Sequence, residues 1–486
     1  MPNINSPSRW SKASLWCLVQ ALCLLLAPFG FAESLPKDTG YRGIWYMNQP
    51  TKDQYAYKYS GGLGTYPSNH IPFAVYAPAA NKTFFVYGGA KHDDNNALVE
   101  MVGYYDHATG EVPRPTILLD KQTEDAHDNP VMAIDDAGYI WVFASAHGTS
   151  RPAYIFKSDA PYSIDGFTQI LKTNYSYPEP WYIAKRGFLF LHTRYTGGRG
   201  LNWQTSTDGV TWSEPKLLAH IQEGHYQVSW PHGEKVGTAF NYHPTAFQGH
   251  AEQKGLNWRT NLYYLETSDM GETWRNAAGE AVTTPVKDVK NAALVRDFES
   301  EGTLVYICDV NYDTGGKPIV LFVASRSWKP GPGEREWRIA RWSGKEWQIH
   351  AVCPADHNYD MGSLYIEKDV WRIVASSAPG PQAYCTGGEL QLWESRDEGN
   401  TWSMVRDITQ NSTLNHTYAR KPLNAHEDFY AFWADGNPLE PSASRLYFTN
   451  RAGDKVWQLP DMIAGDFAKP SILSSGATRH AFGVQP

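Results

Sequence analysis

The stretch HDNPVMAIDDAGYIWVFASAH, residues 127–147, reads as two apolar strands around a tight turn, with a histidine at each outer end. The flanking runs are rich in β-branched and aromatic residues, and Asp135-Asp136-Ala137-Gly138 between them is turn chemistry. Paired as a hairpin, the two runs put His127 and His147 at the same end, so anything else gathered at that end becomes a candidate for chemistry.

The hairpin has relatives along the chain. A polar or histidine-bearing lead-in, an apolar strand, a turn and a second apolar strand recur in HIPFAVYAPAANKTFFVYGG from His70, YPEPWYIAKRGFLFLHTRY from Tyr177 and HYQVSWPHGEKVGTAFNYH from His225. The pattern continues in NAALVRDFESEGTLVYICD from Asn291, HNYDMGSLYIEKDVWRIVAS from His357 and HTYARKPLNAHEDFYAFWAD from His416, making seven units with the opening stretch. A third strand follows several of them, as in RPAYIFKS, GLNWQTS, TNLYYLETS, KPIVLFVAS, GELQLWES and SRLYFTN. Three third strands run into related turns: STDGVTW (206–212), TSDMGETW (267–274) and SRDEGNTW (395–402). The last two fit the Asp-box pattern S/T-x-D-x-G-x-T-W, and the first is one residue short. In such a turn Asp caps its own loop, Gly takes the φ > 0 position and Trp packs under the hairpin. Units of roughly 50 to 70 residues with about four strands each predict an all-β, seven-bladed β-propeller with Asp-box turns. A pair of β-sandwiches does not repeat one strand signature seven times.

Composition agrees, with 41 glycines, 19 tryptophans and 29 tyrosines and no long apolar helical periodicity. Arg9 and Lys12 precede an apolar run from Ala13 to Phe29, and Gly30-Phe31-Ala32 carries small residues at −3 and −1. Residues 1–32 therefore read as a cleavable signal peptide, leaving 33–486 as one exported domain, secreted or periplasmic and expected to be monomeric. The apolar run falls short of the roughly 20 residues a membrane span needs. The net charge of −8 becomes −10 once Arg9 and Lys12 are removed, which argues against nonspecific nucleic-acid binding. An anionic substrate would need a local basic cluster working against that field.

In a propeller blade the first strand begins, the second ends and the third begins on one face, around the channel. First-strand starts on that face are His70, His127 with Asn129, Tyr177, His225 with Tyr226, Asn291, His357, and His416 with Tyr418. Second-strand ends add His147, His192 with Arg194, Tyr242 with His243, Asp309 and Asp435; third-strand starts add Arg151, Arg199, Arg259 and Lys317. A single strand-end histidine is ordinarily a hydrogen-bonded loop residue. The collection marks a site, because the opposite turns read DDAG, AKRG, EKDV and PAANK. Arg199, Tyr226, His225, His192, Arg194 and Asn129 are its expected substrate-binding groups.

This face lacks the carboxylate pair a glycosidase ordinarily uses. A sialidase would need an arginine triad with a Tyr/Glu nucleophile pair, to which Arg199 and Arg259 could contribute. β-Elimination on a uronic acid polysaccharide suits the inventory better. Arginine neutralises the carboxylate and so acidifies the C5 proton, a base removes that proton, and an acid protonates the leaving O4. Histidine serves either role near neutral pH, and tyrosine is a ready acid.

HDNPVMAIDDAGYIWVFASAHG, SYPEPWYI, FLFLHTRYTGGRGLNW, GHYQVSWPHGEKVGTAFNYHP, HNYDMGSLYIE and NAHEDFYAFWADGNPLEPS resemble the BNR-repeat family that includes the seven-bladed ulvan lyases. The resemblance covers nearly the whole mature chain. It implies cleavage of ulvan, an anionic polysaccharide, between 3-sulfated rhamnose and glucuronic or iduronic acid, leaving an unsaturated uronate. The paired catalytic histidines of those lyases match His127 and His147, their tyrosine falls on Tyr242, and their carboxylate-neutralising arginine on Arg259 or Arg199. A sialidase-like hydrolase and a non-catalytic carbohydrate-binding propeller stay open; the arginines fit all three readings, and the His-His-Tyr combination favours the lyase.

After residue 32 the cysteines are Cys308, Cys353 and Cys385, an odd number for an exported protein. The blade map sets Cys308 at the end of a second strand, Cys353 before the next blade and Cys385 before that blade's third strand, on one face with His357. That is a Cys3His set suited to a structural, tetrahedral zinc, as in the resembling lyases. One disulfide plus a buried thiol is the alternative.

Overall fold

Seven antiparallel sheets follow one another along the chain, each built from consecutive strands. Blade one spans residues 74–120, blade two 130–173, blade three 176–219, blade four 227–296, blade five 304–354, blade six 362–407 and blade seven 415–473. In this computed structural model the described residues are 35–46, 60–63, 69–91, 94–247, 257–331 and 335–473; the expected signal sequence lies outside them. The protein is thus an all-β, seven-bladed β-propeller. No helix among the described residues is long and apolar enough to cross a membrane.

The opening stretch folds as its residues dictate. Pro130–Ile134 and Ile140–Ala144 pair antiparallel and are buried nearly throughout, since a blade has a neighbour on each face. Asp135 Oδ1 accepts the amides of Ala137 and Tyr139 at 3.0 and 2.9 Å, Oδ2 accepts Trp141 Nε1 at 2.9 Å, and Gly138 takes φ 85°. The Asp boxes repeat the device after third strands. Asp208 accepts Val210 N and Thr211 N at 2.8 and 2.7 Å, Asp269 accepts Thr273 N at 2.9 Å, and Asp397 accepts Thr401 N at 2.9 Å. All three turns lie on the face away from the histidines.

Blade five corrects the sequence reading. Asn291 does not begin a first strand; Leu294–Arg296 is the short fourth strand of blade four, and Leu304–Tyr312 is the innermost strand of blade five. Pro318–Ser325 is then its second strand and Arg335–Trp342 its third. The turn at Phe298–Thr303, closed by Glu301, Gly302 and Thr303 amides, looks in sequence like an intra-blade hairpin but links two blades. Asp309 accordingly sits inside a first strand, paired with Lys421 at 2.8 Å, and Lys317 on the opposite face, bonded to Ser343 O at 3.0 Å.

Among the described residues, no strand is shared between the sheets of the first and last blades. Gly43 bridges Gly89 of blade one and Ser444 of blade seven, Tyr41 N donates to Pro460 O at 2.9 Å, and Phe467–Ala468 pairs with Val112–Pro113. An apolar cluster including Phe73, Phe85, Val102, Phe432 and Phe448 fills this seam.

Candidate active site

One carboxylate organises the histidine end of blade two. Asp125 caps the single turn Ala126–Asp128 by accepting His127 N at 3.1 Å, and the same Oδ1 lies 2.6 Å from His127 Nδ1. Its Oδ2 meets His147 Nδ1 at 2.8 Å and accepts Arg151 Nη2 at 2.8 Å. Arg151 is itself anchored on buried Asp128 at 2.7 and 2.9 Å. The rings of His127 and His147 stack 4.2 Å apart at 19°, His127 buried and His147 with 32% of its side chain exposed. An ionised carboxylate only accepts, so each ring gives its Nδ1–H to Asp125 and turns its Nε2 away from it. Burial opposes the charge on Asp125, yet the bonds from both histidines hold its carboxyl well below the usual range. Burial, with His147 adjacent, pushes His127 down to about 4, so it is neutral at pH 7.

Tyrosines and arginines continue from this pair across blades three to six. His147 lies edge-on to Tyr177 and Tyr195, centroids 6.3 and 6.1 Å away, and the two phenol oxygens are 3.3 Å apart. Tyr226 follows, 5.3 Å from Tyr177 and 5.0 Å from His243. Two guanidiniums flank the Tyr226 ring, Arg259 at 4.2 Å and Arg199 at 5.6 Å. Arg259 is 2% exposed, held among Tyr226, Tyr306 and Tyr359, and donates to Tyr359 Oη at 3.1 Å. Arg199 is half-buried and donates to His243 Nδ1. Burial and neighbouring Tyr226 raise Tyr195 well above the usual phenol range, so its proton stays on at neutral pH. A cavity of about 590 Å3 opens on this face between blades four and five, lined by Trp258, Glu299, Arg326, Trp328 and Lys329 among others.

Several expected residues sit elsewhere. Tyr242 is fully buried, donates its hydroxyl to Glu299 and packs edge-on to Tyr263 at 6.3 Å, outside the histidine cluster. Strand alternation explains it: Tyr242 and His243 are consecutive, so when His243 faces Tyr226 its neighbour must face the other way. His225 is locked by the backbone, accepting Ile221 N at 2.7 Å and donating to Asn241 O at 2.7 Å; burial lowers it to about 3. His192 is also wholly buried, 3.0 Å from Gln204 Oε1, and lowered by burial to about 3. Neither can meet a substrate in this conformation. Asn129 is buried directly after the His127 turn, and Arg194 is half-buried at the end of its strand. Sequence reasoning passed over Asp125 and Tyr195; the Asp-Ala-His spacing, a capping residue before a short turn, was the signal for the first.

All three cysteines are buried thiols, and the blade-five register puts Cys308 within a first strand. Burial raises the thiols of Cys308 and Cys353, and Cys308 Sγ donates to Tyr306 O and Asp360 O at 3.6 Å. His357 Nδ1 accepts Tyr359 N at 3.1 Å. Among the described residues, two sets of three His, Cys, Asp or Glu have ligand atoms all within 4.8 Å of one another: Asp125-His127-His147 and His107-His426-Asp428. Neither set includes Cys308, Cys353, Cys385 or His357.

Residues 95–354, more than half of the chain, match a family described as BNR repeat-containing family member. The chain belongs to the BNR repeat-containing family. Within that family's sequence neighbourhood it is 26% identical over 346 residues to an ulvan lyase of Nonlabens ulvanivorans, covering 63% of this chain and 70% of the relative. An ulvan lyase of Alteromonas sp. (strain LOR) is 24% identical over 391 residues, 71% and 77% of the two chains. The BNR-repeat fold superposes on a PL25 ulvan lyase bound to -[GlcA(1-4)Rha3S]- with a TM-score of 0.69 and 16% identity, over 85% of this chain and 96% of that one.

Proposed function

We propose that this protein is an exported polysaccharide lyase that cleaves a sulfated, uronate-containing polysaccharide of the ulvan type by β-elimination. The observation that carries the reading is the pair of stacked, Asp125-bound histidines facing a protonated Tyr195 with Arg199 beside it. The ulvan lyase relatives support the substrate class. Export, expected from residues 1–32, suits a polymer met outside the cell.

In this mechanism Arg199, the less buried of the two guanidiniums, neutralises the uronate carboxylate and so acidifies C5–H. His147 Nε2 takes that proton, and Asp125 stabilises the imidazolium that forms. The C5–H electron pair becomes the C4=C5 double bond as the C4–O4 bond breaks, and O4 takes the Tyr195 proton. The proton on His147 then returns to the Tyr195 oxygen through solvent, restoring both groups. Arg259 holds Tyr226 behind the reacting centre. The cavity beside Trp258 and Trp328 accommodates flanking sugars, with Arg326 and Lys329 meeting sulfate or carboxylate.

The test is a continuous ultraviolet assay for unsaturated uronate on ulvan, with glucuronan, heparan and chondroitin sulfate in parallel. A rise on ulvan supports the reading. Reducing ends without that absorbance would replace it with a sialidase-like hydrolase, and binding without turnover with a carbohydrate-binding propeller.

A further inference from the structure

The opposite face holds a second histidine pair, at the seam where the last blade meets the first. His107 follows the third strand of blade one, Asp94–Asp106, and His426 lies between the first two strands of blade seven, Asn415–Arg420 and Ala431–Gly436. That connection runs along blade one: Leu423 N donates to Ala74 O at 2.8 Å and Tyr76 N to Leu423 O at 2.9 Å. The two imidazoles are 3.8 Å apart, tilted by 42°, and Tyr76 and Tyr105 stand edge-on to His107 at 5.3 and 5.0 Å. His107 Nε2 meets Thr83 Oγ1 at 2.8 Å, while its Nδ1 is buried with no hydrogen-bond partner among the described residues. Asp428 N donates to His426 Nδ1 at 3.1 Å, and Asp428 Oδ2 lies 3.9 Å from the same nitrogen. One ligand atom of each of the three residues lies within 4.8 Å of the others.

We propose that His107, His426 and Asp428 bind a divalent transition-metal ion of the zinc class and clip blade seven to blade one. Two imidazoles and a carboxylate are a borderline donor set, with a fourth position left for water. Bonds of about 2.0–2.1 Å in a tetrahedron put ligand atoms about 3.3 Å apart, so at most about 1.5 Å of closure is needed. Asp428, with 53% of its side chain exposed, supplies most of that movement as the ion takes the His426 Nδ1 lone pair in place of the Asp428 amide, while His107 stays on Thr83. The buried His107 Nδ1 thereby gains a partner, and the seam between blades seven and one gains a link.

The experiment strips the mature protein with a chelator, adds Zn2+ alone, and reads stoichiometry by calorimetry and the melting temperature in parallel. Wild type is expected to bind one zinc equivalent more than His426→Ala or Asp428→Asn, the second of which lies at an exposed position compatible with folding. At a hundredfold excess over Kd the wild-type Tm should rise by about 3 °C more than in either variant. Cobalt in the same site should give ligand-field absorption that both variants lose. His147→Ala and Cys385→Ser serve as controls for the other candidate ligands and should keep that equivalent. No zinc uptake, or equal stoichiometry in wild type and the two seam variants, overturns the proposal.

Discussion

Two histidine pairs, one stacked and one tilted, occupy opposite faces of this propeller, and they differ in what their carboxylate does. Asp125 takes the Nδ1 of both His127 and His147, at 2.6 and 2.8 Å, and is backed by Arg151. Asp428 Oδ2 stands 3.9 Å from one ring of its pair, and among the described residues His107 Nδ1 has no hydrogen-bond partner. The first arrangement fixes a tautomer and places a cation beside the carboxylate, which favours moving a proton and disfavours a metal. The second leaves His107 Nδ1 unengaged among the described residues and commits His426 Nδ1 to a backbone amide alone. The same residue types therefore carry different chemistry according to which nitrogen is already engaged.

The largest effect that would break this comparison is loss of the base. His147→Ala should lower kcat on ulvan by about 10³-fold or more, and Asp125→Asn by about 10²-fold through the lost tautomer control. Near-normal turnover in His147→Ala would sink the mechanism. Next comes the choice of tyrosine: Tyr195→Phe should cost about 10²-fold in kcat. Tyr242→Phe should stay within about threefold in kcat while losing about 1–2 kcal/mol of stability, because Glu299 forfeits its donor. The reverse ranking, read from the same assay, would restore Tyr242 to the catalytic role.

Acid sharpens the contrast between histidines that act and those that only pack. His192 and His225 titrate near 3 when folded against 6.5 for an ordinary histidine, so the unfolded chain binds more protons between those values. Their contribution is intact above pH 6.5 and is lost as pH falls toward 3, amounting to about 3 kcal/mol each by pH 4. Denaturant midpoints at pH 7 and 4.5 should separate accordingly, and His192→Gln should lessen the difference. The smallest effect is at the far end of the opening hairpin. Asp135→Ala should cost about 1–2 kcal/mol by loss of its turn bonds, with kcat within about twofold.

Much of this was legible in sequence. Alternating and doubly apolar runs between turn residues gave the blades, and the Asp-box spacing gave three turns whose bonds are local. His127 and His147 were paired because a hairpin is a short-range object. The reading failed in blade five, where Phe298–Thr303 looks like an internal hairpin turn but joins neighbouring blades, and at Tyr242, where one step of strand alternation reversed the side chain.

The sequence alone therefore settled the repeat, its seven-fold count and the pairing of His127 with His147 at one hairpin end, because these follow from local periodicity and turn chemistry. Only the tertiary structure decided which of those groups meet. Asp125 joins residues 22 apart in sequence, Tyr226 meets Arg259 from a separate strand, and His107 reaches His426 across the closed ring. Closing seven blades into a circle fixes side-chain direction and strand register together, and no local pattern encodes either one alone.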